Sequence, residues 1–314
     1  MLKWGRRIVV GIVGLLIIGY GALVVIAYLP YEEIPRSALV QTEDQFTSLH
    51  GVSIRYRLYG DPASPPLVLL HGFANSLQTW RDFAPAAAKR FYVVALDMPG
   101  YGLSDKPIQF NYRNPAQGQF VADFIEHLEL TNVIVGGHSL GGAVAIHTAL
   151  ASHRIAGVLL FNPGILSTGV PSATQHLFFP LQRLSARQFG NRAFREQFLK
   201  SSYINPAIVT DQVMDNVMAA SRMQGYLRGT STLMDQYEEG AELPLLEKLS
   251  KPTLIVWGAA DRNKPLAESE QLSQRLPNSR LIVIDNVGHY VHEEAPQAAA
   301  QAVINAQDWL AGFR

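Results

Sequence analysis

The chain has 314 residues and balances 26 Lys and Arg against 26 Asp and Glu, for a formal net charge of zero at pH 7. That balance leaves no electrostatic footprint for nucleic acid, which is excluded as a partner class. The chain holds no cysteine, which excludes disulfides, thiolate nucleophiles and cysteine metal sites and leaves the redox compartment open. Hydrophobic residues make up 48% of the chain, enough for a sizeable buried core.

The first element is apolar. Lys3, Arg6 and Arg7 precede an uncharged run from Ile8 to Leu29. As a helix that run reaches about 33 Å, at roughly 1.5 Å per residue, and so spans the apolar core of a bilayer. A cleaved signal peptide has a shorter apolar region, about 7–15 residues, and a small-residue cleavage site. "VVIAYLPYEE" offers no convincing site. The reading is an uncleaved signal-anchor transmembrane helix over residues 1–30, with a signal peptide and a buried core helix as alternatives. The basic cluster precedes the span whereas Glu32 and Glu33 follow it. The positive-inside rule therefore expects a cytoplasmic N-terminus and a main domain on the non-cytoplasmic side of the membrane.

From Tyr31 to about Gln45 the chain reads as a short polar connector. "GVSIRYRLYG" then alternates apolar and polar residues, which predicts a half-exposed strand. "PPLVLLHG", "RFYVVALDMPG", "TNVIVGG", "GVLLFNPG", "PTLIVWGAAD" and "SRLIVIDNVGH" are instead continuous apolar runs closed by Gly, Pro, Asp or Asn. Such runs suit parallel strands covered on both faces. Helical patterns lie between them: "RDFAPAAAKR", "NPAQGQFVADFIEHLEL", "AVAIHTALASH" and a final "APQAAAQAVINAQDWLAGF". Strand alternating with helix predicts an α/β class protein with a doubly wound, mostly parallel sheet.

The alternation breaks over residues 165–250, which hold helical stretches such as "AFREQFLKSS" and "AIVTDQVMDNVMAAS" and the apolar run "HLFFPLQRL". A structureless loop of that length is uncommon, so a helical cap inserted over one end of the sheet is expected. The alternative is a longer connection whose helices simply cover the sheet. The expected organisation is thus an anchor at 1–30, the first part of an α/β core at 31–164, the cap at 165–250 and the rest of the core at 251–314.

Residues 136 to 142 read "GGHSLGG", between the strand run "NVIV" and the helical "AVAIHTALA". In that context Ser139 sits on a sharp elbow above the sheet, and Gly137 and Gly141 flank it where side chains would collide with the neighbouring strand and helix. A neutral hydroxyl is a poor nucleophile and needs a base, and the base needs an orienting group. His289, in "DNVGHYVHEE" after the last predicted strand, is the candidate base. His147, His153 and His292 read as ordinary surface or core histidines. Asp261, which closes "TLIVWGAAD", is the candidate carboxylate, ahead of Asp97, Asp105 and Asp285. Asp97 and Asp105 read as organisers of a tight turn. Asp285 lies too near His289 in sequence, and the residue after strand "GVLLF" is Asn162, not an acid. The His-Gly pair in "LLHGFANS" forms a turn whose next N–H, that of Phe73, is a candidate oxyanion donor. Leu140 N–H, at a helix N-terminus, is the second, and His71 reads as turn scaffolding.

These landmarks, in the order oxyanion loop, Ser, Asp, His, resemble the α/β-hydrolase fold superfamily from about Gly51 to the C-terminus. "LVLLHGF" with Trp80, "VVALDMPGYGLSD", "VGGHSLGG", "PTLIVWGAAD" and "VGHYVHEEAP" carry the resemblance. It implies Ser139 as nucleophile, His289 as base, Asp261 as acid, and Phe73 and Leu140 as oxyanion donors. The likeness extends to capped esterases, membrane-anchored monoacylglycerol lipases and bacterial carbon–carbon bond hydrolases. Haloalkane dehalogenases and epoxide hydrolases of this fold carry an aspartate at the elbow, where this chain has serine. The expected function is a serine hydrolase of carboxylic esters, with apolar acyl or lipid esters favoured by the anchor and the Phe, Leu and Met content of the cap. The alternatives are a carbon–carbon bond hydrolase, in which cap arginines such as Arg183, Arg187, Arg192 and Arg222 would bind a carboxylate, or a non-catalytic binding module. No metal or organic cofactor is called for, and the oligomeric state is left open.

Overall fold

The computed structural model describes residues 2–167, 178–236 and 242–312. The first two residues of "HLFFPLQRL" and Phe313 of the final helical pattern lie outside the described residues.

Helix α1 (Leu2–Tyr28) is uncapped by acidic residues at its start and contains one stretch, Arg6–Tyr28, long and apolar enough to cross a membrane. The core then alternates strand and helix: β1 (Gln45–Leu49), β2 (Val52–Tyr59), β3 (Pro66–Leu70), α2 (Phe83–Ala87), β4 (Tyr92–Leu96), α3 (Asn114–His127), β5 (Val133–His138), α4 (Leu140–Ala151) and β6 (Ile155–Phe161). Helices α5 (Leu181–Phe189), α6 (Arg192–Ser202), α7 (Asp211–Arg222) and α8 (Tyr226–Asp235) follow. The chain closes with β7 (Thr253–Gly258), α9 (Leu266–Arg275), β8 (Ser279–Ile284), α10 (Val291–Glu294), α11 (Pro296–Asn305) and α12 (Gln307–Leu310). The eight strands form one sheet in the order β1-β2-β4-β3-β5-β6-β7-β8. β1 is antiparallel to β2, and β2 to β4, while the other neighbours are parallel.

The continuous apolar runs have a direct cause. Successive side chains of a strand point to opposite faces, and here both faces are covered. Leu67 and Leu69 of β3 enter one core, with Trp80, Phe83 and Val303, while Val68 and Leu70 enter the other, with Phe124 and Val144. β6 and β7 divide in the same way, Leu159 and Val256 on one face and Leu160 and Trp257 on the other. Each such leucine contributes about 1.5–3 kcal/mol by leaving water, so a polar residue at any of these positions is costly.

Two local expectations change. β2 is not half-exposed: Arg55 and Arg57 are buried, because Asp44 and Asp97 compensate their charge at 2.7 to 3.2 Å. The stretch before it is also more ordered than a polar connector, and it leads into a strand, β1, that pairs with β2 through a hairpin at Gly51. Within that stretch, Glu33 accepts from the backbone N–H groups of Gly225 and Leu227 at the start of α8, at 2.8 and 3.1 Å. A carboxylate at a helix N-terminus satisfies orphan donors and complements the helix dipole. Ile34 forms an isolated β-bridge with Met223.

Between β6 and β7, the described residues hold helices α5 to α8 and two 3-10 turns, and no strand longer than that bridge. These helices have apolar clusters of their own, one built on Leu199, Tyr203, Met214 and Met218 and closed by Tyr290 from the core. The C-terminal end of α1 packs on them too. Arg183 Nε donates to Ala27 O at 2.9 Å and Arg187 Nη1 to Leu29 O at 2.8 Å, cations serving the last carbonyls of a helix.

Candidate active site

Every parallel strand from β3 to β8 runs the same way, so the loops after them gather at one edge of the sheet. The chain leaves β3 for β4 on one side and crosses back to β5 on the other, so the winding reverses between β3 and β5. Open α/β sheets bind ligands at such a switch point, outside the carboxyl ends of the strands. Ser139 and the loop beginning at His71 meet there.

Ser139 directly follows β5 and has φ 51° and ψ −118°, a conformation L-residues rarely hold. The turn is tight enough that a β-carbon at Gly137 would lie 2.0 Å from Gly141 O, and one at Gly141 would lie 2.3 Å from Leu70 O. Ser139 N donates to Phe161 O, and Ser139 O accepts from Gly142 and Gly164. Leu140 opens α4, so its N–H has no acceptor within the helix. Across from it, a β-carbon on Gly72 would sit 3.2 Å from Ser139 Cβ, so the loop carrying Phe73 passes directly over the serine. Phe73 and Leu140 thus flank Ser139.

Asp261 and His289 come together from loops after β7 and β8. His289 Nδ1 lies 2.8 Å from Asp261 Oδ2, and the aspartate side chain is fully buried. The same Oδ2 accepts from Asn162 Nδ2 at 2.7 Å, while Oδ1 accepts from Asn263 N at 2.7 Å and Lys264 N at 3.0 Å. Burial pushes the Asp261 carboxyl up, but His289 and these donors outweigh it and hold the group below its ordinary range. With Asp261 ionised, the His289 proton resides on Nδ1 and Nε2 is left as an acceptor. Ser139 Oγ makes no hydrogen bond with the His289 ring in this structure; contacts between a candidate base and nucleophile commonly tighten with substrate. The backbone of His289 is secured by Ser202 O at the end of α6, at 3.3 Å, and by His138 Nε2, which donates to His289 O at 3.0 Å.

The competing residues are placed elsewhere. Asp97 accepts from Leu77 N, Leu103 N and Arg55, and a β-carbon on Gly102 would overlap its carboxylate. Asp105 accepts from Ser53 N and pairs with Arg36. Asp285 is exposed. His71 Nδ1 donates to Gly72 O and its Nε2 accepts from Met98 N, which fixes the bend ahead of Phe73. His292 is buried beside Trp80, its Nε2 2.8 Å from Thr79 Oγ1, and His147 pairs with Glu242 at 3.1 Å. Arg183, Arg187 and Arg192 bind the α1 end and the acids of α7.

Asn162 is the residue that sequence reasoning passed over, having looked there only for an acid. Its place immediately after a parallel strand, which it shares with Ser139 and Asp97, is the signal that could have marked it. Among the described residues no group of three or more His, Cys, Asp or Glu is arranged to hold a metal ion.

The family model described as alpha/beta hydrolase fold matches residues 65–296. An uncharacterized hydrolase, YugF, of Bacillus subtilis is 26% identical over 258 residues, covering 82% of this chain and 94% of that protein. Among solved structures, a bacterial membrane phospholipase A has a TM-score of 0.69 at 25% identity and covers 98% of this chain and 99% of that one. A 2-hydroxy-6-oxo-6-phenylhexa-2,4-dienoate hydrolase from Rhodococcus has a TM-score of 0.68 at 22% identity, covering 83% and 97%, and shares the fold.

Proposed function

The chain belongs to the α/β-hydrolase fold family, and on that premise we propose that it is a serine hydrolase of carboxylic esters, acting on apolar acyl or lipid esters beside a membrane. The observation that carries the reading is the Asp261–His289 contact of 2.8 Å in the loops next to the strained Ser139 elbow. Ser139 Oγ attacks the acyl carbon as His289 Nε2 takes its proton. Asp261 holds the imidazole tautomer and stabilises the imidazolium that forms. The N–H groups of Phe73 and Leu140 receive the oxyanion. His289 returns the proton to the leaving alcohol, and water, activated by the same ring, releases the acyl group from Ser139. In this reading α5 to α8 form a cap over the site, and residues 1–30 anchor the protein with its N-terminus in the cytoplasm.

A likeness to a membrane phospholipase A that covers 98% of this chain, and the seating of α1 on α5, both support an ester substrate reached from a bilayer. Hydrolysis of p-nitrophenyl esters from short to long acyl chains, with a Ser139→Ala control subtracted, tests the reaction. A Ser139-dependent rate with a chain-length optimum is expected. No such rate at any length would discard the ester reading in favour of carbon–carbon hydrolysis or a binding module. A C-terminal reporter active only in the cytoplasm would overturn the orientation.

A further inference from the structure

Beside the oxyanion loop lies a pocket bounded by Phe73, Tyr101, Lys106, Phe189, Arg195 and Tyr226 among others. Its walls are mostly aromatic and aliphatic, with Asn75, Ser221 and Thr230 as uncharged polar residues, and none of its lining residues among those described is an Asp or Glu. Two cations nevertheless line it. Arg195, from α6, is only 4% exposed. One of its nitrogens, Nη2, donates to Ala74 O, and its guanidinium lies 5.5 Å from the centre of the Phe189 ring. Among the described residues no carboxylate pairs with Arg195, and its remaining donors carry no hydrogen bond. Lys106 is 9% exposed and spends its three donors on Gly102 O, Ser104 O and Met223 Sδ, at 2.7, 3.0 and 3.8 Å.

A buried guanidinium without a counter-ion is costly, and native chains pair such groups or use them. The other buried arginines among the described residues are paired, Arg55 with Asp44 and Asp97 and Arg57 with Asp44, and the part-buried Arg81 pairs with Glu293. Arg195 is the exception, and it borders a space that begins at Phe73, in the loop over Ser139. The planar fork of a guanidinium matches two oxygens of one oxyanion. We infer that Arg195 is an anion subsite, so that the substrates are esters whose apolar body carries a carboxylate or phosphate group. This inference takes its location from the serine-hydrolase reading, and the test separates the two.

The full-length protein in nonionic detergent is assayed on two matched pairs. One is p-nitrophenyl pentanoate against p-nitrophenyl hydrogen glutarate, for a carboxylate; the other is a monoacylglycerol against its phosphate ester of equal chain length. The readout is the ratio of kcat/KM, anionic over neutral, which a purely structural role of Arg195 at Ala74 leaves unmoved. A preference of roughly tenfold to a hundredfold is expected in at least one pair, the size of a charge-assisted hydrogen bond. Arg195→Gln should erase it, and Arg195→Lys should keep part of it. If Arg195→Gln fails to fold, Thr230→Asp, which sets a carboxylate on the cavity wall, should cancel the same preference. No preference in either pair, or one that these variants leave intact, overturns the subsite while Ser139-dependent hydrolysis of the neutral esters stands. If no ester is turned over, the hydrolase reading has failed. The subsite is then decided by calorimetric titration of Ser139→Ala with hexanoate and with butyl phosphate. Binding of either that Arg195→Gln removes supports it, and absence of binding overturns it.

Discussion

Asn162 Nδ2 and His289 Nδ1 converge on a single oxygen, Oδ2 of Asp261, at 2.7 and 2.8 Å. Asn162 is itself held, because its Oδ1 accepts from Gly258 N at 3.1 Å. The amide therefore ties the end of β6 to the end of β7 and fixes the carboxylate that meets the imidazole. Its φ of 39° is one that asparagine tolerates better than most residues.

Replacing that amide should loosen the aspartate without removing it. Asn162→Ala is expected to lower kcat/KM for a Ser139-dependent ester by about tenfold, the equivalent of one hydrogen bond to a charged group, roughly 1.5 kcal/mol. Steady-state kinetics beside a thermal melt decide the matter. A rate equal to wild type would mean that Asn263 N and Lys264 N alone orient Asp261.

Asp261→Asn keeps the shape of the site and reverses its hydrogen-bond sense. An amide that donates toward His289 favours the tautomer with its proton on Nε2, which cannot accept from Ser139. If Asp261 is the orienting acid, the expected loss in kcat is about a thousandfold to ten-thousandfold, by analogy with Ser-His-Asp triads, with KM little changed. A loss below tenfold would point to another orienting group.

Gly102 and Gly51 distinguish steric overlap from backbone strain. Both have positive φ, 47° and 74°, but a β-carbon at Gly102 would lie within 2.3 Å of three Asp97 atoms, whereas nothing lies within 4 Å of one at Gly51. Gly51→Ala should cost about 1 kcal/mol, the price of a left-handed alanine. Gly102→Ala must also displace a buried carboxylate that binds Arg55, Leu77 and Leu103, so its cost should exceed roughly 3 kcal/mol. Urea denaturation of the two variants, compared with wild type, tests the ordering.

Lys106 should leave a mark on stability as pH changes. Burial lowers its pKa to about 7, only partly opposed by Asp97, with Arg36 lowering it further and Asp105 and Glu33 raising it. In the unfolded chain the amine titrates near ~10.4. Between those values the unfolded chain binds a proton that the folded protein does not, so stability rises with pH through that window. Below about pH 7 both states hold the proton, and the cost of burying the ammonium is felt in full. The stability of wild type relative to Lys106→Met should therefore increase between about pH 7 and about pH 10, as followed by chemical denaturation. A flat difference would mean that Lys106 remains charged in the folded state across the range.

What the sequence determined by itself is local. A run such as "LVLLHG" has to be a strand covered on both faces, because alternate side chains then enter separate cores, as Leu67 and Val68 do. A serine between glycines after "NVIV" has to be a tight strand-to-helix turn, because only glycine fits so close to Leu70 O and Gly141 O. Ser139, Asp261 and His289 stand out on such grounds, each beyond a strand end, as does the apolar length of α1. The tertiary structure alone decided what depends on partners far away in the chain. The alternating pattern of β2 suggests a wet face, yet Asp44 and Asp97 make it a dry one. Nothing within a few residues of Asn162 predicts its bond to Asp261, 99 positions on. Nor does α6 by itself distinguish Arg195, which faces a cavity, from Arg192, which meets Asp211 and Asp215 at the surface. The period of a sequence reports which side of an element is apolar, but the charge, burial and pairing of a polar side chain are set by whatever the fold brings against it.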